Sequence, residues 1–170
     1  MDYVSFYMLD NYREHFDSSL SKINPLEYRK VYLVWHDQLS VDNFPVWVRD
    51  EKPLLLFIES LSGVNLIPHH KKKLVFLFSA LRHFALDCKL MGFNVFYHST
   101  YNDYTSSIVE LLQKYTHWDL SYMQPNEWDS RKAIEVVKKN YPCIQEYSNS
   151  FFLAPLEPYV LRISKGWRLE

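Results

Sequence analysis

The segment VYLVWHDQ, residues 31–38, passes through five apolar or aromatic residues and then turns polar. A second apolar run, LLLFI, occupies residues 54–58. A strand with one solvent-exposed face alternates between apolar and polar residues, and neither of these runs does so. Strands that are covered by helices on both faces of a parallel sheet show this continuous apolar pattern. Val31–Trp35 and Leu54–Ile58 are therefore predicted as neighbouring parallel strands.

The pattern around these two runs predicts further strands and helices. Apolar residues recur every three or four positions over His69–Met91, which predicts the longest helix. Pro68 suits its start and Gly92 suits the left-handed residue at its end. Later strands are predicted at Asn94–Tyr97, Leu120–Met123 and Ile144–Tyr147, with helices around 108–115 and after a capping Asn126. The alternation predicts an α/β fold, a doubly wound, mainly five-stranded parallel sheet.

The length of 170 residues suits one domain. We assign residues 1–30 to an N-terminal extension, 31–150 to the α/β domain and 151–170 to a linker, because the pattern fades after residue 147. No apolar run approaches the roughly 18 residues of a membrane-spanning helix, and the first 22 residues lack an apolar signal region. We therefore expect a cytoplasmic protein with no membrane partner.

The composition argues against several classes of function. The chain has a net charge of −1 and only three glycines, so nothing indicates a basic nucleic-acid surface or a glycine-rich phosphate loop. No nucleophile elbow or Cys-x-x-Cys motif is present. Cys88 and Cys143 are too few to hold an iron–sulfur cluster, and both are expected to be buried, reduced thiols. The readable chemistry is binding, with no catalytic or metal-binding residue assigned.

Polar side chains follow both predicted strands. Asp37 and Gln38 come directly after the first strand, which ends at Trp35, and Glu59 follows the second. Ligands of open parallel sheets bind beyond the carboxyl ends of the strands, so these side chains are expected to line one crevice. There they are able to bind a ribityl or ribose hydroxyl, or a ring N–H group. The alternative is that Asp37 caps a turn and Glu59 faces solvent.

Two further features are compatible with binding but also have plainer interpretations. The basic run HHKKK, residues 69–73, lies at the start of the predicted long helix, where an anion would offset its charge. A solvated helix start explains the run equally well. Trp128 and Arg131 lie three residues apart and are spaced to stack together on one helix face, which would serve a planar ligand or a domain contact. A capped helix start is the plainer interpretation of this segment.

Several motifs resemble one known family. Residues 33–40, LVWHDQLS, are similar to the Leu-x-x-Gly-Asp-Gln-Leu-Ser motif of the deoxyribodipyrimidine photolyase-related family, which includes bacterial iron–sulfur photolyases and cryptochromes. The segment SALRHFA, residues 79–85, resembles its Ser-Ala-Met-Arg-His-Phe-Ala helix, and Glu59 matches its strand-two glutamate. The resemblance extends over about residues 31–152. His36 replaces a glycine of the family pattern, and Asp129 replaces an arginine.

The resemblance implies the N-terminal antenna-chromophore domain of a photolyase- or cryptochrome-like flavoprotein that repairs DNA in light or senses blue light. It implies that Trp35, His36, Asp37, Gln38 and Glu59 bind a ribityl-lumazine. FAD and the iron–sulfur cluster are implied only for a C-terminal helical domain, the expected partner, which residues 151–170 are too few to form. DNA contact and lyase activity are expected only of a full-length parent. The alternative is a stand-alone nucleotide-binding or protein-interaction module.

Overall fold

The computed structural model describes residue Phe16 and residues 18–20, 23–62 and 71–151. Its strands are β1 (Lys30–Val34), β2 (Leu54–Ser60), β3 (Asn94–Thr100), β4 (Asp119–Met123) and β5 (Gln145–Tyr147). Its helices are α1 (Val46–Glu51), α2 (Lys71–Leu90), α3 (Tyr104–Lys114) and α4 (Trp128–Asn140). The predicted α/β, doubly wound fold is confirmed in these residues.

The five strands form one parallel sheet in the order β3-β2-β1-β4-β5. From β1 the chain moves outward to β2 and β3, and then returns to the other side of β1 to form β4 and β5. The direction of winding therefore reverses between β1 and β4. In open parallel sheets, ligands bind beyond the carboxyl ends of the strands at such a reversal.

The central strands β1, β2 and β4 are buried on both faces, as the uninterrupted apolar runs of β1 and β2 predict. On one side, which we call the α3–α4 face, helix residues Ile108, Leu111, Ile134 and Val137 pack against strand residues such as Leu33 and Leu56. On the other, the α1–α2 face, Val48, Leu81, Ala85 and Cys88 pack against strand residues such as Tyr32, Leu55 and Phe57. Burial of each large apolar side chain contributes roughly 1.5–3 kcal/mol to stability.

Helix α2 is the longest of the described helices, with 20 residues. The turn that follows it contains Gly92, whose φ of +82° lies in the left-handed region that glycine adopts without strain. The N–H of Phe93 then donates to the carbonyl of Cys88, which closes the last turn. The predicted start of this helix, with His69 and His70, lies outside the described residues.

Two local predictions were wrong. Helix α4 is capped by Glu127 rather than Asn126, and the cap side chain makes no hydrogen bond. The side-chain oxygen of Asn126, which would make the capping bond, instead accepts from Nδ2 of Asn149. Cys143 is exposed, because it lies in the turn before β5 rather than in the core. Cys88 is buried as predicted, and burial raises the pKa of its thiol to about 12.

Most of residues 1–30 and nearly all of 151–170 lie outside the described residues, so the assigned extension and linker stay predictions. Among the described helices, none is sufficiently long and apolar to cross a membrane.

Candidate functional site

The loop after β1 is joined to the loop after β4 at the point where the winding reverses. The amide of Gln38 donates to the carbonyl of Gln124 over 2.8 Å and lies 3.5 Å from the carbonyl of Met123. Asp37 accepts the N–H of Asn126 through Oδ2. We call Trp35–Gln38 together with residues 123–126 the β1–β4 junction.

The chain after β5 also contacts this junction. Asn149 donates through Nδ2 to the carbonyl of Gln124, 2.7 Å away, and to the side chain of Asn126. Ser150 donates through Oγ to the carbonyl of Asn43, 2.6 Å away. The loops that follow β1, β4 and β5 are therefore fixed to one another, and the polar side chains of the junction are held in defined positions.

Three buried polar atoms of the junction have no hydrogen-bond partner among the described residues: Trp35 Nε1, Asp37 Oδ1 and Gln38 Oε1. The side chains of Trp35 and Gln38 are each only 1% exposed. An unsatisfied buried donor or acceptor costs about 1–3 kcal/mol. The set comprises one N–H donor and two oxygen acceptors, which is the kind of set that the polar edge of a ligand complements.

His36 lies in the same loop as these atoms and contacts the starts of α3 and α4. Its Nε2 is 3.1 Å from a carboxylate oxygen of Glu127, and its Nδ1 is 3.3 Å from the hydroxyl of Tyr104. The rings of His36 and Tyr104 are nearly parallel, with 19° between their planes and 6.2 Å between their centroids. The His36 side chain is 9% exposed, so it fills space between the loops that follow β1 and β4 and the start of α3.

Sequence reasoning missed Tyr104. Its ring lies 5.5 Å from that of Trp35. Burial raises the pKa of its hydroxyl, and the negative charges of Glu127, Asp37 and Glu59 raise it further, so the hydroxyl remains protonated and able to donate. The available signal was positional: Tyr104 begins α3 directly after the capping Asp103, at the carboxyl edge of the sheet.

Glu59 belongs to a second polar group, on the α1–α2 face. It is 1% exposed, so the alternative that it faces solvent is wrong. Arg82 donates to both carboxylate oxygens, over 2.8 and 2.6 Å. Tyr97 also donates to Oε2, and Ser99 lies 3.5 Å from Oε1. We call these four residues the Glu59 cluster; each oxygen of its carboxylate has partners within the protein.

The five residues predicted to bind a ligand therefore lie in two groups. The first comprises Trp35, His36, Asp37 and Gln38, and the second is centred on Glu59. Both groups lie at the carboxyl edge of the sheet, and the charges of Asp37 and Glu59 both act on Tyr104. Among the described residues, no hydrogen bond joins the two groups. The single shared pocket stays a prediction.

The stack of Trp128 on Arg131 is not formed. Arg131 donates through Nε to the carbonyl of Pro125, 2.7 Å away. Lys132 lies over the Trp128 ring instead, with Nζ 5.1 Å from the centroid, and Trp128 is 68% exposed.

The two cavities described in the structure lie elsewhere. One, of about 290 Å³, is lined by residues that include Tyr115, Trp118 and Cys143, and the other, of about 230 Å³, by residues that include Lys89 and Phe93. Within the described residues, no group of three or more histidine, cysteine, aspartate or glutamate side chains is placed to hold a metal ion.

Comparison with known proteins assigns the fold to a family. A model of the family described as deoxyribodipyrimidine photo-lyase-related protein matches residues 32–160. The chain belongs to this family. It is also similar to a (6-4) photolyase of Agrobacterium fabrum, with 27% identity over 112 residues. That match covers 62% of this chain and 22% of the relative, so the photolyase-related domain spans only a small part of the relative's length.

Proposed function

We propose that this photolyase-related domain binds a ribityl-lumazine antenna chromophore at the β1–β4 junction. The proposal rests on one observation: within residues 35–38, Trp35 Nε1, Asp37 Oδ1 and Gln38 Oε1 are buried without partners among the described residues. A ribityl chain offers hydroxyl donors and acceptors, and the lumazine ring has a polar edge. Both kinds of group complement one N–H and two oxygens.

The residues present fit such a ligand. Asp37 and Gln38 each use one side-chain atom to fix the loop after β4 and leave an acceptor oxygen unpaired. They are therefore rigid before a ligand arrives, which lowers the entropy cost of binding. Because the oxygens of Glu59 already have partners, we assign it a structural role, in which it holds Arg82 and Tyr97 on the α1–α2 face.

In a photolyase-related protein that also carries a C-terminal helical domain, the chromophore would absorb light and transfer the energy to FAD in that domain. Light-dependent DNA repair or blue-light signalling would belong to that assembly, and this domain would contact DNA only as part of it. Support for this wider role comes from family membership and from the similarity to a (6-4) photolyase. We expect the 170-residue chain alone to show no flavin spectrum and to leave ultraviolet-damaged DNA unchanged.

The test is a fluorescence titration of the chain with dimethyl-ribityl-lumazine, using wild type and Asp37→Asn. The asparagine oxygen is still able to accept the N–H of Asn126, while its NH₂ group replaces the unpaired acceptor by a donor. Loss of one buried contact costs about 1–3 kcal/mol, so affinity should fall roughly ten- to hundredfold. The matched control is Glu146→Gln, a similar change of a carboxylate that hydrogen-bonds Tyr122 and Lys138. Equal affinity in wild type and Asp37→Asn would remove Asp37 from the site.

A second candidate function is nucleotide binding without photochemistry. Trp128 begins α4 directly after Glu127, is 68% exposed and has Lys132 over its ring. An exposed indole beside a cation suits a planar base that carries phosphate. A nucleotide titration of wild type and Trp128→Ala tests this candidate, which predicts binding to wild type only.

A further inference from the structure

We propose that His36 determines which ligands the β1–β4 junction admits, because its imidazole is an internal plug that a ligand must displace. This inference deepens the proposed function and rests on it for the identity of the ligand. The presence of the plug itself is testable without that ligand.

The first support is where the side chain lies. His36 directly precedes Asp37 and Gln38, which carry two of the three unpaired atoms, and directly follows Trp35, which carries the third. Its side chain is 9% exposed although it belongs to a loop. The imidazole is therefore packed between loops rather than extended into solvent, and it contacts Tyr104, whose ring lies 5.5 Å from that of Trp35.

The second support is that both ring nitrogens of His36 have partners on other elements. Nε2 faces Glu127 at the start of α4, and Nδ1 faces Tyr104 at the start of α3. The imidazole thus bridges two helix starts across the carboxyl edge of the sheet. A residue without this side chain would leave Tyr104 and Glu127 free to contact a ligand.

The third support is that the plug is held weakly enough to move. Glu127 is 57% exposed, so solvent screens its attraction to His36. The 3.3 Å contact with Tyr104 is long for a hydrogen bond to a hydroxyl. Rotation of His36 outward leaves the bonds of Asp37 and Gln38 to the loop after β4 in place. Apparent affinity then equals the intrinsic affinity reduced by the fraction of molecules with the plug open.

The experiment compares His36→Ala with His83→Ala, which removes an exposed histidine of α2. We titrate both variants and wild type with dimethyl-ribityl-lumazine. His36→Ala should bind at least tenfold more tightly than wild type, and His83→Ala should match wild type. If His36→Ala and wild type bind the lumazine with equal affinity, the proposal that His36 is a plug is wrong.

Free imidazole separates failure of the plug from failure of the proposed function. If neither wild type nor His36→Ala binds the lumazine, the proposed function fails, and the plug is judged by thermal unfolding with millimolar imidazole. Imidazole should raise the Tm of His36→Ala and leave that of His83→Ala unchanged. If imidazole does not raise the Tm of His36→Ala, the proposal that His36 is a plug is wrong. If His36→Ala does not fold, Glu127→Gln replaces it: loss of the charge on the partner should increase lumazine affinity, and unchanged affinity overturns the plug.

Discussion

The Glu59 cluster and the β1–β4 junction lie at the same edge of the sheet and bury polar side chains to the same extent. Glu59 and Gln38 are each 1% exposed. The two regions differ in whether their buried polar atoms all have hydrogen-bond partners. Each oxygen of Glu59 has partners on Arg82, Tyr97 or Ser99, whereas three buried atoms of the junction have none among the described residues.

This difference separates a structural role from a binding role. A buried polar group that is fully paired stabilises one arrangement of the core, and loss of a partner leaves a buried polar atom with fewer hydrogen bonds or, where the partner is the counter-ion, a buried charge without compensation. A buried polar atom without a partner lowers the stability of the folded protein, and a ligand that supplies the partner removes this cost. Substitutions in the Glu59 cluster should therefore change folding, and substitutions of the unpaired atoms in the junction should change binding.

The largest expected effect is that of Arg82→Ala. It leaves the Glu59 carboxylate buried with only Tyr97 and Ser99 as partners. Removal of one member of a buried ion pair costs about 3–5 kcal/mol, and since Arg82 is itself 23% exposed we expect about 3 kcal/mol. Urea denaturation of the variant and wild type measures this loss. The double variant Arg82→Met with Glu59→Leu should recover much of it, because no buried charge is then unpaired. A loss below about 1 kcal/mol for Arg82→Ala would contradict the structural role.

Tyr97→Phe should have the next largest effect. It removes one hydrogen bond to Glu59 and keeps the ring that packs against Phe16 and Phe57. Hydrogen bonds to charged groups contribute about 1.5–3 kcal/mol, so a loss of about 2 kcal/mol is expected in the same urea measurement. Lumazine affinity should remain at the wild-type value; a tenfold fall would place Tyr97 in the binding site instead.

Gln38→Met should change stability by less than about 1 kcal/mol, although Gln38 is as buried as Glu59. The variant loses the bond to the carbonyl of Gln124, which keeps the bond from Asn149. It also removes the unpaired Oε1, and relief of that penalty offsets the lost bond. Lumazine affinity should nevertheless fall roughly tenfold. A destabilisation of 3 kcal/mol would show that the junction is as fully paired as the Glu59 cluster.

The sequence predicted the sheet well because the burial of a strand can be inferred from the apolar residues at its consecutive positions. The runs at 31–35 and 54–58 are apolar at each position, and such runs are compatible with burial between two layers of helices. The parallel, doubly wound arrangement followed from the alternation of strands and helices. The same reasoning predicted that Asp37, Gln38 and Glu59 lie at the carboxyl edge of the sheet.

Sequence pattern did not distinguish Glu59 from Asp37, because the difference depends on distant partners. Arg82 and Tyr97 are 23 and 38 residues from Glu59 along the chain, and no local pattern indicates that they meet it. The cap of α4 was misassigned for a related reason. Asn126 is a favourable capping residue, but its side-chain Oδ1, the atom that caps a helix, accepts a hydrogen bond from Nδ2 of Asn149. Tertiary contacts determined both outcomes.

The smallest expected loss of unfolding free energy is that of Glu146→Gln. This variant tests whether pairing alone, or pairing together with burial, accounts for the contribution of the Glu59 cluster to stability. Glu146 is also paired, with Lys138 and Tyr122, but its side chain is 33% exposed. Partial burial raises the pKa of Glu146, and the hydrogen bonds from Lys138 and Tyr122 outweigh this and lower it overall. The exposed pair should contribute less than about 1 kcal/mol at pH 7.

The pH dependence of this small contribution has a definite sign. Because the pKa of Glu146 is lower in the folded chain than its ordinary 4.5, its contribution is present above that value and is lost as the pH falls through the folded pKa. The difference in unfolding free energy between wild type and Glu146→Gln should therefore shrink as the pH is lowered from 7 to 3. If Glu146→Gln costs as much as Arg82→Ala at pH 7, pairing without burial would suffice, and the contrast between the Glu59 cluster and the β1–β4 junction would need another explanation.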